Sequence, residues 1–321
     1  MILDADETTV IDHAGWGDEY SVLWRFDVAA QREERFRIAS GGFYMRPGTD
    51  RRVVLVQERL SDDEQRFTVR RIATPQDVLA SAVRMRDRWS FEGDETLWDR
   101  VPRYAIIQLA SGDRYALIHL HPDDPVADPL EWYGPASYDV AYQGLLDPYQ
   151  VPASRLVVIP VQRDSRPVLY DPTQRRVVGH LKLADRGGNP ELYFLRDRAE
   201  VWVDDYDTLV RLRPGSWKVL DTLLLQKPPK GFEQELIGTF WFPLDERVCL
   251  VPRPMSGDVV FIDPATFEVI GSVNTGQQPL DAVMIGDGTV LARDWQSRTL
   301  LRAHWKGPGH RERQRGWRPW R

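Results

Sequence analysis

Three acidic residues stand at matching places in short strand-like phrases: Asp139 in SYDVAY, Glu191 in NPELYF and Asp281 in QPLDAV. If these phrases converge in space, the carboxylates would repel one another and raise each other's pKa unless a cation joined them. Carboxylate oxygens are suitable ligands for Ca²⁺ or Mg²⁺, and they also attract cationic substrates. The three residues are therefore predicted to bind a divalent cation or a ligand. The alternative is that they are hydrated or paired with the chain's many arginines.

Two histidines could also bind a metal. His119 and His121 alternate along a predicted strand, so both face the same side, as a metal-binding pair requires. No third His or Cys lies near them in the sequence, and ordinary strand residues are the competing interpretation. The single cysteine, Cys249, excludes an intrachain disulfide and a CxxC zinc site. It lies in the apolar run RVCLV and is predicted to be a buried, inert thiol.

Several common catalytic motifs are absent. The chain has no GxSxG nucleophile elbow, no GxGxxG loop, no GxxxxGK phosphate loop and no HExxH pair. Dinucleotide redox chemistry, P-loop NTPase activity, cysteine catalysis and zincin chemistry are therefore not expected.

The elements that would position the acidic residues are indicated by a repeated phrase. RPVLYDPTQRRVVGHL (166–181) returns 92 residues later as DVVFIDPATFEVIGSV (258–273), within a longer gapless match of 155–179 to 247–271. Each copy predicts a strand, a polar turn, a second strand, a turn at Asp-Pro and a third strand. Proline presets φ for a turn, and the preceding Asp can bond the backbone that it bends.

A half-period copy at 199–223 and four further hairpins extend the pattern to seven units. Their first strands are predicted to begin near residues 19, 52, 103, 155, 198, 247 and 288. Self-similarity at about 40–50 residues with about four short strands per unit is typical of a β-propeller. We therefore predict an all-β, seven-bladed β-propeller over residues 1–305, with a generic β-sandwich as the alternative. TTVIDHA, near the N-terminus, is predicted to close the ring beside the last hairpin.

The segment VVFIDPATFEVIGSVNTGQQPLDAV (259–283) resembles a repeat of the YVTN type. Such repeats occur in seven-bladed propellers similar to the quinoprotein amine dehydrogenase β-subunit, and more distantly in WD40-like proteins. The resemblance extends over about residues 155–300 and implies the fold. It does not imply one function, because proteins of this type include enzyme subunits, lyases and surface binding proteins. Because the innermost strand of a propeller blade starts near the central channel, Asp139, Glu191 and Asp281 would lie at one mouth of that channel.

Two segments interrupt the repeat. Residues 74–90 are predicted to form a short helical insertion, because Thr74 can cap a helix, Pro75 suits its first turn, and apolar residues follow at helical spacing. Residues 121–154 form a long loop rich in Tyr, Trp and Asp. Its residues Trp132, Tyr133 and Tyr138 are predicted ligand-binding residues, because such side chains pair an apolar body with a polar tip. The alternative is that these rings are buried under the rim of the disc.

Charge is distributed unevenly between the body of the chain and its end. The net charge is −6, but residues 306–321 contain six Lys or Arg and one Glu, which leaves the body at −11. The acidic body argues against nucleic acid as the main partner. The basic tail, with Trp317 and Trp320, could bind an anionic surface, dock on the body or remain solvated.

Two functions from different classes remain open. The first is a cytoplasmic binding or scaffold propeller that presents an aromatic-acidic face to a peptide or protein partner, with no cofactor. The second is a divalent-metal-assisted lyase or hydrolase that holds a small molecule at the channel mouth. No apolar run approaches the roughly 20 residues of a membrane span, and the acidic N-terminal stretch has no signal-peptide pattern. A cytoplasmic location is therefore expected.

Overall fold

The computed structural model describes most of the chain. The described residues are 1–13, 22–38, 43–61, 64–86, 88–108, 115–130, 148–152, 154–161, 164–181, 183, 191–196, 198–205, 207–225, 237–275, 278–294, 297 and 299–310. They form seven antiparallel sheets, and within each sheet the strands pair in chain order. The predicted seven-bladed β-propeller is confirmed, and we number the sheets as blades 1 to 7.

The first three blades are built as follows. Blade 1 contains β1 (Ile2–Leu3), β2 (Thr9–His13), β3 (Val22–Asp27) and β4 (Arg32–Arg37). Blade 2 contains β5 (Phe43–Pro47), β6 (Val53–Arg59), β7 (Glu64–Arg71), β8 (Val78–Met85) and β9 (Arg88–Gly93). A 3₁₀ helix (Glu95–Arg100) leads into blade 3, which contains β10 (Tyr104–Gln108), β11 (Tyr115–His119) and β12 (Val126–Leu130).

The second half of the chain contains the repeated phrase. Blade 4 contains β13 (Tyr149–Gln150), β14 (Val157–Val161), β15 (Asp164–Asp171) and β16 (Arg176–His180). Blade 5 contains β17 (Leu192–Leu195), β18 (Glu200–Asp205), β19 (Thr208–Arg213) and β20 (Lys218–Leu224). Blade 6 contains β21 (Cys249–Arg253), β22 (Asp258–Asp263) and β23 (Glu268–Asn274). Blade 7 contains β24 (Pro279–Met284), β25 (Thr289–Asp294) and β26 (Leu300–His304).

The turns after the second strand of each repeated phrase keep one geometry. In blades 5 and 6 the backbone N–H of Trp217 donates to Arg213 O, and that of Phe267 donates to Asp263 O, both at 2.8 Å. The donor residue has a left-handed φ in both turns, 53° at Trp217 and 59° at Phe267. A proline follows the acceptor residue and presets the turn. The repeated phrase therefore specifies the same strand–turn–strand unit each time.

The ring closes by packing between blades. Seven apolar clusters lie between consecutive blades, and one of them joins Leu3, Val10 and Trp24 of blade 1 to Val283 and Leu291 of blade 7. TTVIDHA supplies a strand at the ring closure, as predicted, but its contact with the last hairpin is side-chain packing in the cluster that contains Val10 and Leu291 rather than strand pairing. Its strand β2 pairs with β1 and β3 inside blade 1. Since residues 9–12 are buried between the neighbouring blades, this strand cannot lie at an open edge.

The structure differs from the sequence interpretation at residues 74–90. Thr74 and Asp77 close a turn rather than cap a helix, since Asp77 N donates to Thr74 O at 2.9 Å. Strand β8 then alternates buried and exposed side chains, and Val78 and Met85 are 49% and 56% exposed. Val78 and Met85 would have belonged to the apolar side of a helix. The helical segment of this region is instead the 3₁₀ helix Glu95–Arg100, which follows β9.

The beginning of the basic segment adds to the edge of blade 6. Gly309 N donates to Ile270 O at 2.7 Å, and Ser272 N donates to His310 O at 2.9 Å. Residues 309 and 310 therefore bond along the outer strand β23. The remaining tail residues, 311–321, lie outside the described residues. In the described part of the chain, no helix is long and apolar enough to cross a membrane.

Candidate functional site at the central channel

The two faces of the disc are defined by the innermost strands. These strands begin on what we call the upper face and end on the lower face. NPELYF and QPLDAV were predicted to supply innermost strands, and they form β17 and β24, the first strands of blades 5 and 7. SYDVAY, with Tyr138 and Asp139, lies outside the described residues, as do Trp132 and Tyr133.

The structure brings Glu191 and Asp281 to the same region of the channel. Glu191 Oε1 accepts a hydrogen bond from Thr239 Oγ1 at 3.2 Å. Thr239 lies on the inner segment of blade 6 and bridges to Asp281 of blade 7, while its N–H donates to Leu280 O at 2.9 Å. Two of the three predicted acidic residues therefore lie around one threonine near the upper face.

Two cationic groups accompany these carboxylates. The Met1 amino nitrogen lies 3.7 Å from Asp281 Oδ1 and 3.9 Å from Asp12 Oδ1. Arg293 in turn forms a salt bridge with the other oxygen of Asp12. Burial lowers the pKa of the Met1 amino group, but Asp12 and Asp281 outweigh burial and raise the pKa above its ordinary value. Asp281 is therefore paired with the Met1 amino group, and the arginine of this cluster pairs with Asp12 instead.

Side chains from non-neighbouring blades cross the channel at the lower face. Arg51, between β5 and β6 of blade 2, donates from Nη2 to Phe242 O of blade 6 at 2.6 Å. Its guanidinium lies 5.1 Å from the centre of the Trp241 ring. Arg196 of blade 5 donates to Thr49 O of blade 2 at 3.2 Å. We call these residues the lower seal, because they connect blades 2, 5 and 6 across the channel.

A tyrosine–carboxylate contact supports the lower seal. Tyr193 Oη donates to Glu246 Oε1 at 3.1 Å, and Arg196 N donates to Glu246 Oε2 at 3.1 Å. The Tyr193 ring stacks on Phe242 with 4.5 Å between centroids. Burial and the neighbouring Glu246 raise the pKa of Tyr193 to about 12. The lower seal could not be identified from the sequence, because its members come from separate blades and share no repeated motif.

His119 and His121 lie close together but use their ring nitrogens locally. Their centroids are 6.2 Å apart. His119 Nδ1 is 2.9 Å from Asp124 O, and His121 Nδ1 accepts from Asp123 N at 3.3 Å. Burial lowers the pKa of His119. Among the described residues, no group of three His, Cys, Asp or Glu side chains is arranged to hold a metal.

The upper face also carries Tyr44 and Tyr115, which sequence reasoning did not single out, and Tyr149 from the predicted loop 121–154. Tyr44, on the innermost strand of blade 2, is 71% exposed. Burial raises the pKa of Tyr115, at the start of β11, and the nearby Tyr44 adds to that rise. Tyr149 begins β13 on the same face. Tyr115 pairs with Leu130, the last described residue before the aromatic-acidic segment 131–147, and Tyr149 follows that segment, which itself lies outside the described residues.

Solved structures share this fold at low sequence identity. A proposed 6-phosphogluconolactonase from Bacteroides fragilis is 12% identical, with 94% of this chain and 96% of that chain covered and a TM-score of 0.57. The β-propeller domain of Cps50 (Swd1) from Myceliophteria thermophila is 11% identical, with 95% and 96% covered and a TM-score of 0.57. A periplasmic gluconolactonase, PpgL, from Pseudomonas aeruginosa is 15% identical, with 87% and 89% covered and a TM-score of 0.53.

Sequence comparisons add no closer relationship. No protein-family model matches the chain, and no curated protein matches it. The resemblance of residues 155–300 to YVTN-type repeats therefore stays a prediction. At 11–15% identity the structural neighbours establish the fold alone. The chain is a seven-bladed β-propeller.

Proposed function

We propose that the protein is a binding or scaffold propeller that presents its upper face to a peptide or protein partner. The observation that carries this proposal is the lower seal, in which Arg51 and Arg196 reach across the channel to Phe242 and Thr49. Because these side chains span the lower end of the channel, the upper face and the rim are the surfaces that we propose for recognition.

The upper face has the residue types that favour partner binding. Tyr44 is largely exposed beside Tyr115, and Tyr115 pairs with Leu130, which directly precedes in sequence the segment that contains Trp132, Tyr133 and Tyr138. Tyrosine and tryptophan bury a large apolar area while retaining a polar tip, so they contribute strongly at interface centres. Asp139 would add negative charge to this surface and favour a partner with basic groups. The cytoplasm is the compartment that we propose for this interaction.

Site-specific photo-crosslinking in cells tests this proposal. A photoreactive phenylalanine analogue placed at Tyr44 is expected to give a discrete adduct with a partner protein. The same analogue at Val219, which is 44% exposed on the outer strand β20, provides the matched control. The proposal then requires the purified partner to bind the wild-type protein directly, and Tyr44→Ala to weaken that binding by about tenfold, as for a hot-spot residue. Equal adducts from both positions, or no direct binding, would contradict it.

A metal-assisted lyase or hydrolase remains the second candidate, because Glu191 and Asp281 lie at the same end of the channel around Thr239. With Asp139 they would supply oxygen ligands for Ca²⁺ or Mg²⁺, and the metal would polarise a substrate oxygen. Two structural neighbours are described as lactonases, which makes lactones a suitable first substrate class. Native mass spectrometry before and after chelation tests this candidate: a divalent ion lost with chelator and with Glu191→Ala would favour the enzyme.

A further inference from the structure

A cavity of about 320 Å³ lies between blades 1 and 2 on the lower face. Its wall is formed by the turn between β1 and β2, the start of β6, the end of β7 with the turn that follows, part of β8, and the 3₁₀ helix. This volume lies at the lower end of the range for small-molecule sites. The cavity is separate from the acidic residues of the channel, and an inference about it does not depend on the proposed function.

Three arginines are among the residues that line this cavity: Arg52, Arg71 and Arg100. Arg100 is held by Asp50, with Nε 2.9 Å from Oδ2. Arg52 forms a salt bridge with Asp6 at 3.2 Å, and both side chains are 61% exposed. Arg71 forms no ion pair with any residue in the described part of the chain. An exposed pair of this kind contributes little to stability, so an incoming anion can replace Asp6 as the partner of Arg52.

The second acidic residue in the wall, Asp4, already accepts hydrogen bonds from residues of its own turn. Asp4 Oδ1 accepts from Thr8 N at 2.7 Å and from Thr9 N at 3.0 Å, and Oδ2 accepts from Thr8 Oγ1 at 2.8 Å. Asp4 is also only 7% exposed. Its oxygens are therefore occupied within the turn, and Arg71 is the arginine of the wall without an ion pair in the described part of the chain.

The rest of the wall is apolar. Ala73 and Leu79 are partly exposed and contribute carbon surface, and Val53, which is 2% exposed, lies behind them in the wall. Arginine presents N–H donors in a planar fork that matches phosphate and carboxylate oxygens. We propose that this cavity binds a small organic oxyanion, with a phosphate or carboxylate head on Arg52 and Arg71 and a carbon body against Ala73 and Leu79.

Isothermal titration calorimetry at low salt tests this site with three probes: phenyl phosphate, benzoate and inorganic phosphate. Phenyl phosphate or benzoate is expected to bind the wild-type protein more tightly than inorganic phosphate does, because only they carry an apolar body. Tighter binding of phenyl phosphate would favour a phosphate-bearing ligand, and tighter binding of benzoate would favour a carboxylate. Either result supports the oxyanion site.

Two substitutions test whether the probes bind in this cavity. Arg71→Ala is expected to weaken the tighter probe by about tenfold or more, since a hydrogen bond to a charged group is removed. Arg302→Ala, at an exposed arginine on β26 of blade 7, is expected to leave the affinity unchanged. The proposal is overturned if neither organic probe binds, if inorganic phosphate binds as tightly as they do, or if both variants lose affinity equally. Because Arg71 is exposed, its substitution should leave the fold intact, and an unchanged circular dichroism spectrum verifies this.

Discussion

Arg293 of blade 7 and Asp12 of blade 1 form a salt bridge across 281 positions of sequence. Asp12 is 2% exposed, and the Arg293 side chain is 14% exposed. The pair lies beside the apolar cluster that joins the first and last blades. In this propeller the N-terminal and C-terminal blades are therefore joined by side-chain contacts, with each blade built from a continuous piece of chain.

Breaking this pair should destabilise the ring. Arg293→Ala leaves the buried Asp12 with one fewer cation, and we expect the free energy of unfolding to fall by about 3–5 kcal/mol. Urea denaturation measures the change. Arg302→Ala, which removes an exposed arginine from the same blade, should change stability by less than about 0.5 kcal/mol. Similar losses in the two variants would show that the Arg293–Asp12 pair does not stabilise ring closure.

The lower seal offers a matched comparison between adjacent residues. Arg51→Ala removes the hydrogen bond to Phe242 O and the contact with Trp241, and should cost about 2–4 kcal/mol. The left-handed φ of 52° at Arg51 is equally unfavourable for Ala, so the loss reports side-chain contacts. Arg52→Ala removes only an exposed pair and should cost below about 1 kcal/mol. Thermal denaturation with tryptophan fluorescence measures both variants. Equal melting temperatures of Arg51→Ala and Arg52→Ala would show that the contacts of Arg51 across the channel do not stabilise the fold.

Alkaline pH should weaken the folded state through Tyr193. Its pKa is raised to about 12 in the folded protein, against 10.0 for the unperturbed group. Between these values the unfolded chain releases the phenolic proton while the folded chain keeps it, so stability falls as pH rises. The slope contributed by this one group approaches about 1.4 kcal/mol per pH unit.

Ultraviolet titration of the phenols measures this ionisation directly. A tyrosine titrating near pH 12 should be lost in Tyr193→Phe and retained in Tyr44→Phe, whose phenol is largely exposed. If Tyr193→Phe leaves the high-pH titration step unchanged, that step belongs to another tyrosine, and the raised pKa of Tyr193 is contradicted.

Two glycines at the same position of the repeated phrase should respond differently to substitution. A Cβ at Gly271 would lie 2.7 Å from His310 O and 2.8 Å from Trp305 Nε1, whereas at Gly179 the nearest atom is Leu169 Cδ1 at 3.7 Å. Gly271→Val should therefore push residues 305–310 away from β23 and increase the rate at which trypsin cleaves after Lys306. Gly179→Val should keep the wild-type cleavage rate. Equal cleavage of both variants would show that the contact at Gly271 does not hold this segment.

Much of the architecture could be predicted because the repeated phrase indicates the strands and turns of each unit. The predicted unit starts at 155, 198, 247 and 288 fall within two residues of β14, β18, β21 and β25. The phrase combines buried β-branched runs with Asp-Pro turns, and both features act locally. The interpretation failed at residues 74–90, where apolar residues fit both a helical period and the alternation of β8. Pairing with β7 and β9 decided in favour of strand.

The candidate site was only partly predictable. Glu191 and Asp281 could be placed at the channel because they occupy equivalent positions in the repeat. Their partners could not be foreseen, since Thr239, Asp12 and Arg293 come from three other strands or segments whose proximity depends on ring closure. The lower seal could not be predicted either, because Arg51 and Phe242 are 191 positions apart and carry no shared motif.

The affinity of the crosslinked partner for three purified proteins tests the binding account most directly. The wild-type protein and the Val219→Ala variant should bind the partner equally well, and Tyr44→Ala should bind about tenfold more weakly. Equal affinity of all three proteins would contradict recognition at the upper face. Loss of binding on chelation, together with loss in Glu191→Ala, would instead place function at the acidic residues of the channel.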